Sequence, residues 1–233
     1  MSKIELVNNS SLFKFEITPR NTPVANLFSD HEYPWQLLSK IRQSVKSLVD
    51  TVSSAERLKG NISSEAFIDG DEVVVEKGAV VEPFAYITGP TYICAGAVVR
   101  RGAYIRGGVY IGPGAIAGHT TEVKDSILMA EAKAAHFAYV GNSVLGEHTN
   151  LGAGTKLANL RIDNQAVKLR FDGEKIDSGQ RKFGAIFGDR AQSGCNSVTN
   201  PGTILLPEAG ILPCKNVSGL IDNQLAKVVK PEN

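Results

Sequence analysis

Arg106 and Lys124 are 18 apart in sequence, each directly after an aliphatic residue, Ile105 and Val123. A forked guanidinium beside an ammonium suits a phosphate better than a carboxylate pair would, because both cations can share one doubly charged group. Two solvated cations facing water would show the same spacing. His136 lies in the run Ala134-Ala135-His136-Phe137-Ala138-Tyr139, with no acidic neighbour in sequence. Imidazole is the side chain that changes charge nearest neutral pH, so this histidine is a candidate general base. His119 comes 17 earlier in sequence and His148 comes 12 later, which also raises a metal reading, since imidazole suits zinc. Tyr139, Asn150 and Asn159 are uncharged polar groups able to read sugar hydroxyls or an oxyanion, although asparagines are equally ordinary in turns.

The elements that would position these groups follow from a six-residue beat. Val75, Val81, Ile87, Ile93, Val99, Ile105, Ile111, Ala117 and Val123 keep strict register, and small or branched residues recur four places after each. This is the hexapeptide signature of a β-helix, in which each hexad makes a short strand and a turn and three hexads close one triangular coil. Residues 18 apart then stack about 4.8 Å apart, so Arg106 and Lys124 share a face. The beat starts weakly at Ile62 and Ile68. It slips between Met129 and Leu145, an interval of 16 where 18 is demanded, which places His136 in a disturbed stretch. Register returns at Leu145, Leu151 and Leu157, and again at Phe187, Ser193, Thr199, Leu205 and Ile211.

Between the last two runs, the charged segment from Arg161 to Lys182 reads as a loop or hairpin thrown out from a coil corner. Lys168, Arg170, Lys175, Arg181 and Lys182 make it basic, but Asp163, Asp172, Glu174 and Asp177 balance most of that charge. A solvated arm fits this composition better than a nucleic-acid patch. If the arm reaches a neighbouring subunit, Arg181 or Lys182 could complete an anion site there. We take Lys182 as the candidate.

All 23 glycines fall between Gly60 and Gly219, which sets the segment 1–60 apart as a separate unit. Tyr33-Pro34-Trp35 precedes apolar residues at helical spacing (Leu37, Leu38, Ile41, Val45, Leu48, Val49, Val52). This predicts a helix from about Pro34 to Arg57, docked as a lid over the first coil. Phe13, Phe15 and Ile17 alternate as in an edge strand. Residues 61–215 are expected to form the β-helix, with the loop at 161–183 inserted, and 216–233 a short C-terminal helix. The flat faces of such coils lead us to expect a homotrimer.

With net charge +1, nothing in the bulk field recommends nucleic acid or a membrane surface as partner. Three cysteines without metal-ligand spacing suit a reducing cytoplasm. The N-terminus MSKIELVNNS has no apolar run of secretory type, and no stretch approaches the roughly 20 apolar residues of a membrane span.

The run from Gly118 onward, with EVK, then AHFAYVG, then NLGAGT and AN, and SGQRKFGAIFGD further on, closely resembles a known acetyltransferase domain. It is that of the bifunctional glucosamine-1-phosphate acetyltransferase / N-acetylglucosamine-1-phosphate uridylyltransferases, above all their archaeal-type relatives. The resemblance covers about 75–213. It implies a left-handed parallel β-helix, a trimer with active sites between subunits, and acetyl-CoA as co-substrate. His136 then matches the general base on the sugar amine, and Arg106 and Lys124 match the pair that holds the sugar phosphate. Tyr139 and Asn150 match sugar contacts, Asn159 the asparagine near the acetyl group, and Ala153 a backbone position beside the thioester.

Two departures stand out. Residues 1–59 hold no glycine-rich nucleotide loop, so nucleotide transfer is not expected here and a separate nucleotidyltransferase becomes a conceivable partner. At the donor end Cys195 stands where bacterial relatives carry serine, Leu160 replaces a tyrosine, and Ile211-Leu212-Pro213-Cys214 stands where the family lines the CoA arm with small residues and a further coil. The expected function is therefore N-acetyl transfer from acetyl-CoA to an amino-sugar 1-phosphate, without a metal. The alternatives are a non-catalytic trimeric scaffold or sugar-phosphate sensor and, lower, a zinc enzyme resembling gamma-class carbonic anhydrases.

Overall fold

A computed structural model describes residues 3–171 and 173–223. The chain winds through three parallel sheets of eight short strands each, which are the faces of one left-handed β-helix. The first face begins at Asn61–Ile62, the second at Phe67–Asp69 and the third at Val73–Val75, and every later coil visits them in that order. The aliphatic column of the beat is the interior. Val75, Val81, Ile87, Ile93, Val99, Ile105 and Ile111 are sealed from solvent in one continuous core. Each coil closes on the next through ladder hydrogen bonds, so the core grows as a stack.

The register slips where the corner between the second and third faces shortens. Ile105 pairs with Val123 at the full 18, whereas Ile111 pairs with Leu128 and Val123 with Val140, 17 positions on. The interior residue is thus Leu128 rather than Met129, and the interval to Leu145 is 17. Two five-residue steps cause this, Val123 to Leu128 and Val140 to Leu145. Each turns its corner on a single residue in the left-handed conformation, Asp125 (φ 43°) and Asn142 (φ 48°). Asp and Asn tolerate that conformation better than other non-glycine residues. Below them the corner uses Gly107 and Gly108, and a Cβ on Gly108 would run into the Asp125 carboxylate. His136 consequently sits in an undisturbed strand, in register with His119.

The N-terminal segment differs from its expected form. Three helices, α1 (Asn9–Leu12), α2 (Pro23–Ser29) and α3 (Ile41–Asp50), are joined by turns and 3-10 segments, one of them at Pro34–Gln36. The helix expected over 34–57 is therefore limited to α3. Nor is it a lid over the first coil: α3 lies along the third face, against strands at Thr91–Ile93, Val109–Ile111 and Ser126–Leu128. The reason is the outward surface of that face, where Val74, Tyr92, Tyr110, Ile127, Val144, Ile186 and Ile204 form an apolar column needing cover. Burial of this column against α3 and its neighbours makes a second core outside the solenoid. Phe13 to Ile17 is not a strand; Phe15 turns with φ 53° and its ring meets Phe28 edge-on.

The expected hairpin is present, as Lys168–Phe171 paired antiparallel with Glu174–Asp177. It seats on the N-terminal segment through Phe171, which stacks on Trp35, itself stacked on Tyr33 at 4.6 Å. At the C-terminal end, Asn216–Val217 and Leu220–Ile221 are strands of the last coil, where a helix was expected to begin. The rest of that expected helix, 224–233, lies outside the described residues. Among the described residues no helix is long and apolar enough to cross a membrane.

Candidate functional site

The shortened corners gather side chains that the sequence scatters. On the second face Arg106 and Lys124 are stacked as their spacing demands, since Ile105 pairs with Val123. Neither is a free cation. Arg106 bonds the Glu122 carboxylate at 2.6 Å and lies over the Tyr104 ring, and Lys124 lies 3.5 Å from Asp125. Asp125 is drawn the other way by Arg42 of α3, at 2.9 Å, whose guanidinium also bonds the Arg106 carbonyl. The expected two-cation site is thus a set of three cations and two carboxylates. The Glu122 bond raises the Arg106 pKa, so that group stays charged. The pair is exposed, so it contributes little to stability and can open to a ligand.

Directly above Lys124 in the ladder comes Gly141. A Cβ here would stand 2.7 Å from the Asn159 amide nitrogen and 2.8 Å from the Tyr139 hydroxyl. The missing side chain leaves a hollow into which both polar groups point. Tyr139 donates to Asn159 at 3.4 Å, and Asn159 donates to the Asn142 side chain at 2.7 Å. Burial, followed by the nearby Glu122 charge, raises the Tyr139 pKa and keeps its hydroxyl protonated. Arg106, Glu122, Lys124, Tyr139, Asn142 and Asn159 therefore form one polar cradle with cations below and neutral donors above.

The other candidates lie along the neighbouring corner, between the first and second faces. The His119 carbonyl accepts from Phe137 N–H, the His136 carbonyl from Gly154 N–H, the Ala153 carbonyl from Asn196 N–H and the Cys195 carbonyl from Cys214 N–H. His136, Ala153 and Cys195 thus climb one column, with the exposed His136 imidazole at its foot and Cys195 exposed higher up. Asn150 stands apart, on the first face between Lys133 and Gln192. Lys182 is at the hairpin base, bridged to Leu160 and exposed. His148 belongs to the third corner, where it lines a cavity with Glu147 and Asp189, so the three histidines do not converge. Among the described residues no group of three His, Cys, Asp or Glu could hold a metal ion.

Glu122, Asp125, Asn142 and Arg42 went unmarked in the sequence. Asp125 and Asn142 carried a signal, since each stands two residues into a five-residue step, where a glycine-free corner is best turned by Asp or Asn.

The family described as the GMPPB C-terminal domain matches residues 87–225. A bifunctional sugar-1-phosphate nucleotidylyltransferase/acetyltransferase of Sulfurisphaera tokodaii is 34% identical over 77% of this chain and 43% of its own length. The bifunctional protein GlmU of Methanocaldococcus jannaschii is 37% identical over 75% of this chain and 41% of its own. That of Methanococcus maripaludis is 35% identical over 95% of this chain and 49% of its own. The chain spans about half the length of these curated relatives or less. The family match runs from the second coil through the cradle and the hairpin to the last strands, and on it the chain belongs to the GMPPB C-terminal domain family of hexapeptide-repeat proteins, with bifunctional sugar-1-phosphate nucleotidylyltransferase/acetyltransferases as relatives.

Proposed function

We propose that this protein transfers an acetyl group from acetyl-CoA to the amine of an amino-sugar 1-phosphate of the glucosamine-1-phosphate type. The observation that carries the reading is the cradle: a set of three cations lies one ladder step below a hollow lined by hydroxyl and amide groups. Arg106 and Lys124 hold the phosphate, exchanging their carboxylate partners for it. Tyr139 and Asn159 contact the sugar and the acetyl group. His136 accepts the proton as the amine nitrogen attacks the thioester carbon. The carbon–nitrogen bond forms, the carbon–sulfur bond breaks, and the proton passes to the leaving thiolate. The Ala153 N–H, which has no partner among the described residues, is a donor beside the thioester oxygen. A positioned base contributes about 10²–10⁴-fold.

Asn150 and Lys182 enter this scheme only from a neighbouring copy, which makes a homotrimer part of the proposal. The second face offers surface for such packing, because Phe67, Phe84, Tyr86, Tyr104 and Phe137 are all exposed along it and its corner. The name of the Sulfurisphaera tokodaii relative, a bifunctional sugar-1-phosphate nucleotidylyltransferase/acetyltransferase, supports acetyl transfer and a sugar-phosphate substrate. The test is thiol release from acetyl-CoA with glucosamine-1-phosphate against glucosamine without phosphate. Turnover that depends on the phosphate is expected. Binding of the sugar phosphate without any thiol release would replace the enzyme by a non-catalytic sensor.

A further inference from the structure

The hairpin has a charge arrangement that its own stability does not explain. Leu169 and Phe171 face inward and are buried, Phe171 against Trp35 of the N-terminal segment and Leu169 beside the coil corner at Gly202, whereas Lys168, Arg170 and Lys175 face outward and are exposed. Arg170 and Lys175 are direct cross-strand partners, a pairing of like charges that weakens a two-stranded ribbon. Among the described residues, none of these three cations has an ion pair or a side-chain hydrogen bond. Arg161 joins them from the hairpin's first arm, forked onto Asp163.

These side chains stand between two cavities. One, of about 390 Å³, lies over the outer hairpin face and is lined by Arg161, Gln165, Lys168, Arg170 and Lys175 and by one carboxylate, Asp177, the cross-strand partner of Lys168. The other, of about 690 Å³, lies between the hairpin and the coil corners at Pro201–Gly202 and Ser218–Gly219, with Leu160, Ile162 and Leu169 as apolar walls. The second cavity reaches Ala158 and Leu160, the neighbours of Asn159. The hairpin is fixed in this position: a Cβ on Gly202 would stand 2.6 Å from Val167, so glycine lets the two surfaces close.

We propose that Lys168, Arg170 and Lys175, with Arg161, bind the clustered phosphates of a nucleotide, and that the larger cavity takes the less polar part of the same ligand. Arg170 and Lys175, held in opposition with no ion pair among the described residues, lose their repulsion when a polyanion lies across them, and a cavity of this size admits a nucleotide-sized molecule. Two sources share this chemistry. On the acetyl-transfer reading above, on which this assignment rests, the source is the adenosine diphosphate end of acetyl-CoA; the other is a nucleotide diphosphate.

The test titrates the full chain with adenosine 3′,5′-bisphosphate and, separately, with uridine diphosphate, and repeats both with the variant Lys168→Ala/Arg170→Ala/Lys175→Ala. The expected result is binding of the adenosine compound that the variant weakens at least about tenfold and that added salt also weakens. In the thiol assay the variant should raise KM for acetyl-CoA by a similar factor, keep kcat within about twofold, and leave KM for S-acetyl-pantetheine, which lacks the nucleotide, unchanged. Hairpin-dependent binding of uridine diphosphate alone supports the phosphate site and assigns it to the second source. No binding of either compound, or binding unchanged in the variant, overturns the proposal. If the wild-type chain releases no thiol, the acetyl-transfer reading fails, and the titrations still decide the site.

Discussion

Replacing Glu147 by alanine should free the arm at residues 16–18 from the solenoid. Glu147 is only 1% exposed, yet its carboxylate lies at the end of an arm from the other end of the chain. It accepts from the backbone N–H groups of Glu16, Ile17 and Thr18, and its own N–H donates to Asp189, which also accepts from Lys14 N–H. The Thr18 hydroxyl accepts from Ala130 N–H. A hydrogen bond to a charged group contributes about 1.5–3 kcal/mol, but the freed amides can reach water once the arm lifts, so the three bonds do not add in full. We expect a loss of about 3–5 kcal/mol for Glu147→Ala, below the full sum of three such bonds.

Acid should act on the same joint. Burial is the largest influence on Glu147 and pushes its pKa up, but the bonds from Thr18, Ile17 and Glu16 outweigh it, so the folded value lies below the usual one. Its stabilisation is therefore complete above the unfolded pKa of about 4.3 and is lost as pH falls through the folded value. Asp189 has the opposite sign. Burial raises its pKa against the Lys14 and Glu147 N–H bonds, so its protonation on the way down from neutral pH favours the folded state. Urea unfolding from pH 7 to pH 3, with amide exchange at residues 14–18, reads both effects. A loss below about 1 kcal/mol in the alanine variant, with the amides of 16–18 still protected, would refute the reasoning.

Two other substitutions probe the cradle and its support. Gly141→Ala places a methyl between Tyr139 and Asn159, and should raise the KM for the sugar phosphate about tenfold or more in steady-state kinetics while leaving the melting temperature within a few degrees. Trp35→Ala removes a ring that is 4% exposed and stacked between Tyr33 and Phe171, so urea titration should show a loss of about 3–5 kcal/mol together with faster proteolysis of the hairpin.

The solenoid was legible because its interior column is aliphatic at a fixed period while the outward neighbours on the first two faces are mixed. The third face lacked that contrast. In Ser126-Ile127-Leu128-Met129-Ala130 every residue is buried, Leu128 inside the coil and Met129 under the N-terminal segment. A strand covered on both sides gives no inside-outside alternation, so the beat could be counted on Met129, and the two tight corners were displaced. The same apolar column marked where the N-terminal segment had to lie, along the flank. Arg106, Lys124, Tyr139 and Asn159 were visible as types and spacings, and their closeness follows from the coil. Their modulation by Glu122, Asp125, Arg42 and Asn142 was not, because it depends on tight corners and on α3, an element far earlier in the chain.

The most direct measurement is acetyl-CoA thiol release with glucosamine-1-phosphate by the wild-type chain and by His136→Ala, at saturating substrates and across pH 6–9. The account predicts turnover that falls about 10²-fold or more in the variant, with binding of the sugar phosphate retained because Arg106 and Lys124 are untouched. Equal turnover in the two proteins would contradict the assignment of His136 as base, and absence of turnover in both would contradict acetyl transfer itself.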